Sequence, residues 1–226
     1  MTGIARTLLF ALVAAIAVPA GASAATYGNF GSFSGERGLP FGYPDTTAYG
    51  QIFTAPEATL DSWKFLINTN SNGGNAKLVI ASWNGTSAVG PAIYESSAFA
   101  IGTGSGDYAF NGVGNIAASL SVGQQYIAYF SVAGVINPVI GAVWAAAGSD
   151  GGLGGGDTYK NSNGADPLLS LDGWASPGTY QAGNWVFTAK FSTPATTPIP
   201  AALPLFASAL GGLGFVGWRR KKATAA

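Results

Sequence analysis

Neither cysteine nor histidine occurs in the 226 residues, and charged residues make up only 9% of them. Each absence removes a class of chemistry. Without His or Cys, no Ser-His-Asp or Cys-His nucleophilic device can be assembled from this chain, and zinc sites built on those ligands are excluded. No disulfide can staple the fold, so its stability has to come from burial. Positive charge is scarce where it would be needed to hold a polyanion. Setting aside Arg6, Arg219, Arg220, Lys221 and Lys222, which lie in the two terminal segments, leaves five cations against ten acids, about −5 for the middle of the chain. No basic stripe remains to neutralise phosphates, so nucleic acid is not an expected partner.

What is abundant is glycine, at 34 residues, together with aromatic side chains at 12%. Many turn formers among aromatic and β-branched residues indicate an all-β domain rather than disorder, which would lack the aromatics. The pattern predicts strands over Tyr49–Thr54, Ser62–Asn68, Ala76–Trp83, Gln125–Val132, Val139–Ala146 and Asn184–Phe191, with shorter ones over Ala92–Ser96 and Tyr108–Asn111. Trp63, Phe65 and Ile67 alternate onto one face, as do Trp185, Phe187, Ala189 and Phe191. Asn70–Asn75 is a turn, and Asn84-Gly85 is a hairpin signal. Ser62–Asn68 and Ala76–Trp83 therefore read as adjacent antiparallel strands joined by a polar loop. Strands at this spacing suggest two packed sheets, a jelly-roll-like β-sandwich. Residues 148–183 form a Gly/Asn/Asp-rich interval, read as a surface loop or as weak strands near Leu168–Leu171.

Chemistry within that interval is sparse. Asp150, Asp157, Asp166 and Asp172 are the acids that a carboxylate-dependent, glycan-acting enzyme would have to draw on, yet none lies in a catalytic signature. With Asn161 and Asn163 the same acids offer hard oxygen ligands for Ca²⁺. Turn-forming Asp and Asn without an ion is the simpler reading, so no cofactor is expected and Ca²⁺ is the alternative. Gly151–Gly156 and Gly102–Gly106 do not match a phosphate-cradling loop and read as loops or bulges. For Trp63, Trp83, Trp144 and Trp185, core packing is expected for at least three. Trp174, in a turn-rich stretch, is expected to be exposed, and with Tyr159, Asp157 and Asp172 it forms the candidate sugar-binding set.

The two ends carry the clearest signals. Arg6, an apolar run Leu8–Val18 and then Ala22-Ser23-Ala24 read as a secretory signal peptide over 1–24, cut after Ala24. At the other end, Ala201–Trp218 holds no charge and as a helix would span about 27 Å, close to a hydrocarbon layer of about 30 Å. Arg219, Arg220, Lys221 and Lys222 would stop transfer and remain cytoplasmic. The expected organisation is a signal peptide over 1–24, a sandwich ectodomain over 25–192, and a Pro/Thr linker with sorting motif over 193–200. A transmembrane helix over 201–218 and a basic tail over 219–226 would follow.

Pro198, Ile199, Pro200 and Ala201, preceded by Thr197 and followed by the Gly-rich apolar run and the basic cluster, resemble a PEP-CTERM sorting signal of the VPLPA-CTERM variant. Thr197 stands where Val is usual, and Ile199 where Leu is usual. The resemblance implies an exosortase as partner, cleavage near the proline motif, and release or transfer of the domain at the surface of a Gram-negative bacterium that makes exopolysaccharide. A second resemblance runs through Gly50–Pro56, Leu60–Phe65, Ser82–Gly85 and Gly90–Ser96, with Gly123–Tyr126 and Asn184-Trp185. It is to the secreted β-sandwich ectodomains that often precede such tails, and it carries no catalytic residue. The functional expectation is a non-enzymatic surface or matrix protein, structural or exopolysaccharide-associated; the alternatives are a glycan-acting enzyme and a permanently anchored binding module.

Overall fold

A computed structural model describes residues 23–43, 46–68, 73–101, 107–140, 143–148, 152–154, 158–161, 174–175, 184–193 and 206–213. Ser23–Pro194 form one compact unit. Of the chain outside it, only 206–213 is described, a short helix with every residue exposed. No helix among the described residues is long and apolar enough to cross a membrane. The expected signal segment through Ala22, the sorting residues Pro198, Ile199, Pro200 and Ala201, and Arg219, Arg220, Lys221 and Lys222 lie outside the described residues.

The unit is mostly β, folded as two antiparallel sheets. The first contains β1 (Ala24–Gly28), β2 (Phe33–Phe41), β4 (Thr59–Asn68), β8 (Tyr108–Ser119), β10 (Val143–Gly148), β13 (Asn184–Trp185) and β14 (Phe187–Ser192). The second contains β3 (Ala48–Thr54), β5 (Gly74–Trp83), β6 (Ala88–Glu95), β7 (Phe99–Ile101), β9 (Gln125–Ser131), β11 (Thr158–Asn161) and β12 (Trp174–Ala175). In the first sheet the hydrogen-bonded path runs β1-β14-β4-β10-β13, with β8 on β4 and β2 on β10. In the second it runs β12-β11-β3-β9-β5-β6, with β7 on β5.

One expected pairing is overturned. β4 and β5 are not neighbours: β4 bonds β8, β14 and β10, whereas β5 lies in the opposite sheet between β9 and β6. β4 contributes Trp63, Phe65 and Ile67, and β5 contributes Ala76, Leu78 and Ile80, to the core between the two sheets. The turn after Trp83 behaves as expected, since β5 pairs with β6 across it. Asn84 Oδ1 accepts from the backbone N–H of Thr86 and Ser87 at 2.9 Å each, and Gly85 takes φ +102°, a conformation that costs glycine little.

The core between the sheets is aromatic. Trp63, Phe65 and Ile67 of β4 and Phe187 and Phe191 of β14 are fully buried. Trp63 stacks on Phe187 at 4.5 Å, and Phe65 stacks on Trp185 at 4.0 Å. From the other sheet, Phe53 meets Trp63 at 4.7 Å and Phe130 meets Phe65 edge-on at 5.1 Å. Each ring contributes about 1.5–3 kcal/mol through burial, the resource an uncross-linked chain depends on. Lys190 faces solvent, and Thr188 is partly buried. Val186, between Trp185 and Phe187, is buried too, with Leu66 against Phe33 and Tyr108.

Two buried amides hold the last strands in place. At the break between β13 and β14, Asn29 Nδ2 donates to Trp185 O (3.3 Å), and Asn29 Oδ1 accepts from Phe187 N–H (2.8 Å). Gln51, from the opposite sheet, accepts from Trp185 N–H through Oε1 at 2.8 Å and donates through Nε2 to Asn184 Oδ1 at 3.2 Å. Those bonds satisfy the backbone where the ladder is interrupted.

Candidate ligand-binding surface

Of the candidate sugar-binding set, Asp157 and Asp172 lie outside the described residues. Tyr159 and Trp174 fall on strands that sequence reasoning did not place. β11 pairs with β3, setting Tyr159 opposite Gly50, and β12 pairs with β11, setting Trp174 opposite Asn161. Gly50 is in turn opposite Tyr129 of β9. A Cβ at Gly50 would lie 2.4 Å from both Ala128 O and Tyr129 Cβ, so this row closes only around a residue without a side chain. Leu168–Leu171, the expected weak strand, lies outside the described residues.

Trp174 is partly buried rather than exposed, which corrects the expectation. Its ring meets Tyr129 edge-on at 5.1 Å and Trp83 edge-on at 6.0 Å. Flat sheet spacing would separate β12 from β9 by about 14 Å. The contact therefore requires the β11–β12 end of the sheet to roll over its outer face. Beneath that roll Ala48, Val79, Ala81, Ile127 and Tyr129 are buried to 1% exposure or less. The second sheet is thus apolar on both faces, and Trp174 packs on the outer one. The Trp174 indole N–H is itself buried, without a hydrogen-bond partner among the described residues. Trp63, Trp83 and Trp185 are core, as expected; β10 includes Trp144, whose side chain lies outside the described residues.

The opposite outer face, on the first sheet, carries an aromatic patch that the sequence reading missed. Phe30 (56% exposed) contacts Phe110 (37% exposed) at 5.7 Å and Phe33 at 6.3 Å, and Phe33 meets Tyr108 edge-on at 4.9 Å. The signal for Tyr108 and Phe110 was the alternation around Tyr108–Asn111. Phe30 and Phe33 gave none, because a Gly-rich surround hides the strand.

Among the described residues, four acids have placed side chains: Glu57, Asp61, Glu95 and Asp107. Glu95 is paired with Lys77 at 2.7 Å. Glu57 Oε1 accepts from Tyr27 O–H at 3.5 Å, while its Oε2 is buried with no partner among those residues. No group of three acid, His or Cys side chains suited to a metal occurs among the described residues; Asp150, Asp157, Asp166 and Asp172 are outside them. Among the described residues, the exposed rings of Phe30 and Phe110 are what the first sheet's outer face offers a ligand.

No protein-family model matches the chain, and neither a curated protein nor a solved structure matches it.

Proposed function

We propose that this chain is an exported protein, sorted by an exosortase through its C-terminal segment, whose jelly-roll-like sandwich acts without catalysis at the cell surface or in the extracellular matrix. Its role there is structural or exopolysaccharide-associated. Before processing, the 201–218 segment holds it in the membrane; afterwards the ectodomain is free or transferred. The observation that carries the reading is the pair of terminal segments around an acidic β-rich domain, a leader ending in Ala22-Ser23-Ala24 and a tail of proline motif, apolar run and four cations. The fold supports it in one respect. β1 and β14 pair from Ala25↔Phe191 onward, so the first residues of the processed domain and the end of its last strand lie side by side. A domain handled at one membrane by two proteases in turn is served by having both cleavage segments at one edge.

The test is intact-mass analysis of the product in an exosortase-bearing host. The expected species begins at Ala25 and lacks everything beyond the Pro198–Ala201 region. An unprocessed full-length product dissolved in the cytosol overturns the reading; a product that begins at Ala25 but always retains its tail replaces sorting with permanent anchoring. A glycan array, run with and without calcium, then separates the two roles. Saturable binding makes the protein polysaccharide-associated, and no binding under either condition leaves the structural role.

A further inference from the structure

Ile136 is the most exposed large apolar side chain among the described residues, at 81%. It lies on the loop 132–140, which follows β9 and leads toward β10. Ile140 on the same loop, and Tyr43, which bridges to it, are more than half exposed. Hydrogen bonds and one buried side chain fix this loop. Val139, just before Ile140, is fully buried. Asn75, near the start of β5, donates through Nδ2 to Ile136 O at 2.9 Å and through its N–H to Asn137 O at 2.8 Å. Asn75 O accepts from Val139 N–H at 3.1 Å, and Tyr43 N–H donates to Val139 O at 2.8 Å. Four backbone groups of the loop are thus paired within the protein, and Pro138 has no N–H to satisfy. Pairing of that kind lowers the cost of taking the loop out of water. Charge adds no obstacle: no Asp, Glu, Lys or Arg occurs between Asp107 and Asp150. Lys77, opposite Ser131 at the end of β9, is paired with Glu95.

We infer that this loop is a membrane-contact tip: Ile136 and Ile140 enter the boundary between headgroups and acyl chains of a phospholipid bilayer, with Tyr43 at headgroup level. A tyrosine suits that level, being apolar along its ring and polar at its end. The number of exposed side chains favours lipid over a protein partner. A stable protein interface takes about 800 Å² from each side, more than three side chains supply. A bilayer needs only apolar groups reaching about 5–10 Å into its surface. The tip is also placed to meet one. β14 ends at Ser192 opposite Thr59, whereas Trp144, near the start of β10, is opposite Asn68 at the other end of β4. At strand rise those ends are about 30 Å apart. Within the compact unit, the loop therefore stands remote from the point where the chain continues toward its C-terminus, and it stays accessible when that end is held.

Flotation with phosphatidylcholine vesicles tests this on the full-length chain. Its apolar C-terminal segment is first occupied by reconstitution into lipid nanodiscs. If the segment stays out of nanodisc lipid it stays out of vesicle lipid too, so the result does not depend on where the protein is sorted. The parent protein should float with the vesicles. Ile136→Asp and, independently, Ile140→Asp should each bind about tenfold more weakly or worse, with an unchanged thermal midpoint because both side chains are exposed in the free protein. Ile136→Trp should bind at least as tightly as the parent. Because the chain has no cysteine, Val135→Cys can carry a single environment-sensitive dye, whose emission should shift to the blue on vesicles. A parent protein that does not float overturns the inference, as does floating that both aspartate variants retain or a dye that stays in water on bound protein. Binding lost in Phe30→Asp instead moves the contact to the other exposed patch and overturns it too. So does association of copies in lipid-free buffer that Ile136→Asp abolishes, since the tip would then be a protein interface.

Discussion

Gln51 shows how much a single buried side chain does in this chain. Its carboxamide is fully buried and joins the two sheets by accepting from Trp185 N–H and donating to Asn184. Gln51→Leu keeps the volume but strands that N–H, and losing a buried partner costs about 1–3 kcal/mol. We expect the urea midpoint to fall accordingly, while Lys190→Ala, on the exposed side of β14, stays within about 0.5 kcal/mol of the parent. Gly50 is the steric counterpart. Gly50→Ala would force a methyl to within 2.4 Å of Ala128 O and Tyr129 Cβ, and overpacking of that kind costs about 1–3 kcal/mol. A lowered thermal midpoint in calorimetry would register it. Neither residue stood out from its neighbours in sequence: an amide and a glycine are ordinary in a chain rich in both, and their importance lies in what they meet across the sheets.

At the scale of elements, the strands with strict alternation were legible and the short ones were not. β4 and β14 present Trp63, Phe65, Ile67, Phe187 and Phe191 inward, as the period of two requires. β11 and β12 are four and two residues long, too few to generate a periodic signal. What holds β12 is ring contact: Trp174 seats on Tyr129 and Trp83. Trp174→Ala should therefore release the β11–β12 roll, losing about 2 kcal/mol as a partly buried large-to-small change. Faster amide exchange at Lys160 and Asn161, with the interior of β4 unaffected, is the expected readout. Uniform acceleration across both sheets would show instead that the roll is integral to the main core. The candidate site was legible only in part. The choice of Trp174 and Tyr159 brought out two residues on paired strands, but the expectation that Trp174 is exposed failed because local turn composition says nothing about a strand edge rolling back over its own sheet.

For the molecule as a whole, the last strand is the decisive one. β14 lies between β1, the first strand, and β4, and its Phe187 and Phe191 are fully buried. The fold cannot be completed until the end of the compact unit has emerged, a high-contact-order arrangement in which loop closure precedes reward. A chain stopped after Gly183 should show no cooperative melt, whereas one stopped after Thr193 should melt cooperatively; near-ultraviolet circular dichroism distinguishes them. A cooperative transition in the shorter chain would contradict the placement of β14. On the proposed export route, this geometry would delay folding until β14 has crossed the membrane.

Periodicity, turn chemistry and absent side chains are properties of consecutive residues, so the sequence alone determined the mostly β character, the inward faces of the long strands and the exclusion of His/Cys chemistry. Which sheet each strand joins, why β4 and β5 lie in opposite sheets instead of pairing, and how Trp174 comes to rest on Tyr129 were decided only in three dimensions. Those outcomes depend on contacts between residues far apart in the chain, where local pattern is equally compatible with several partners and only the mutual burial of apolar faces selects one.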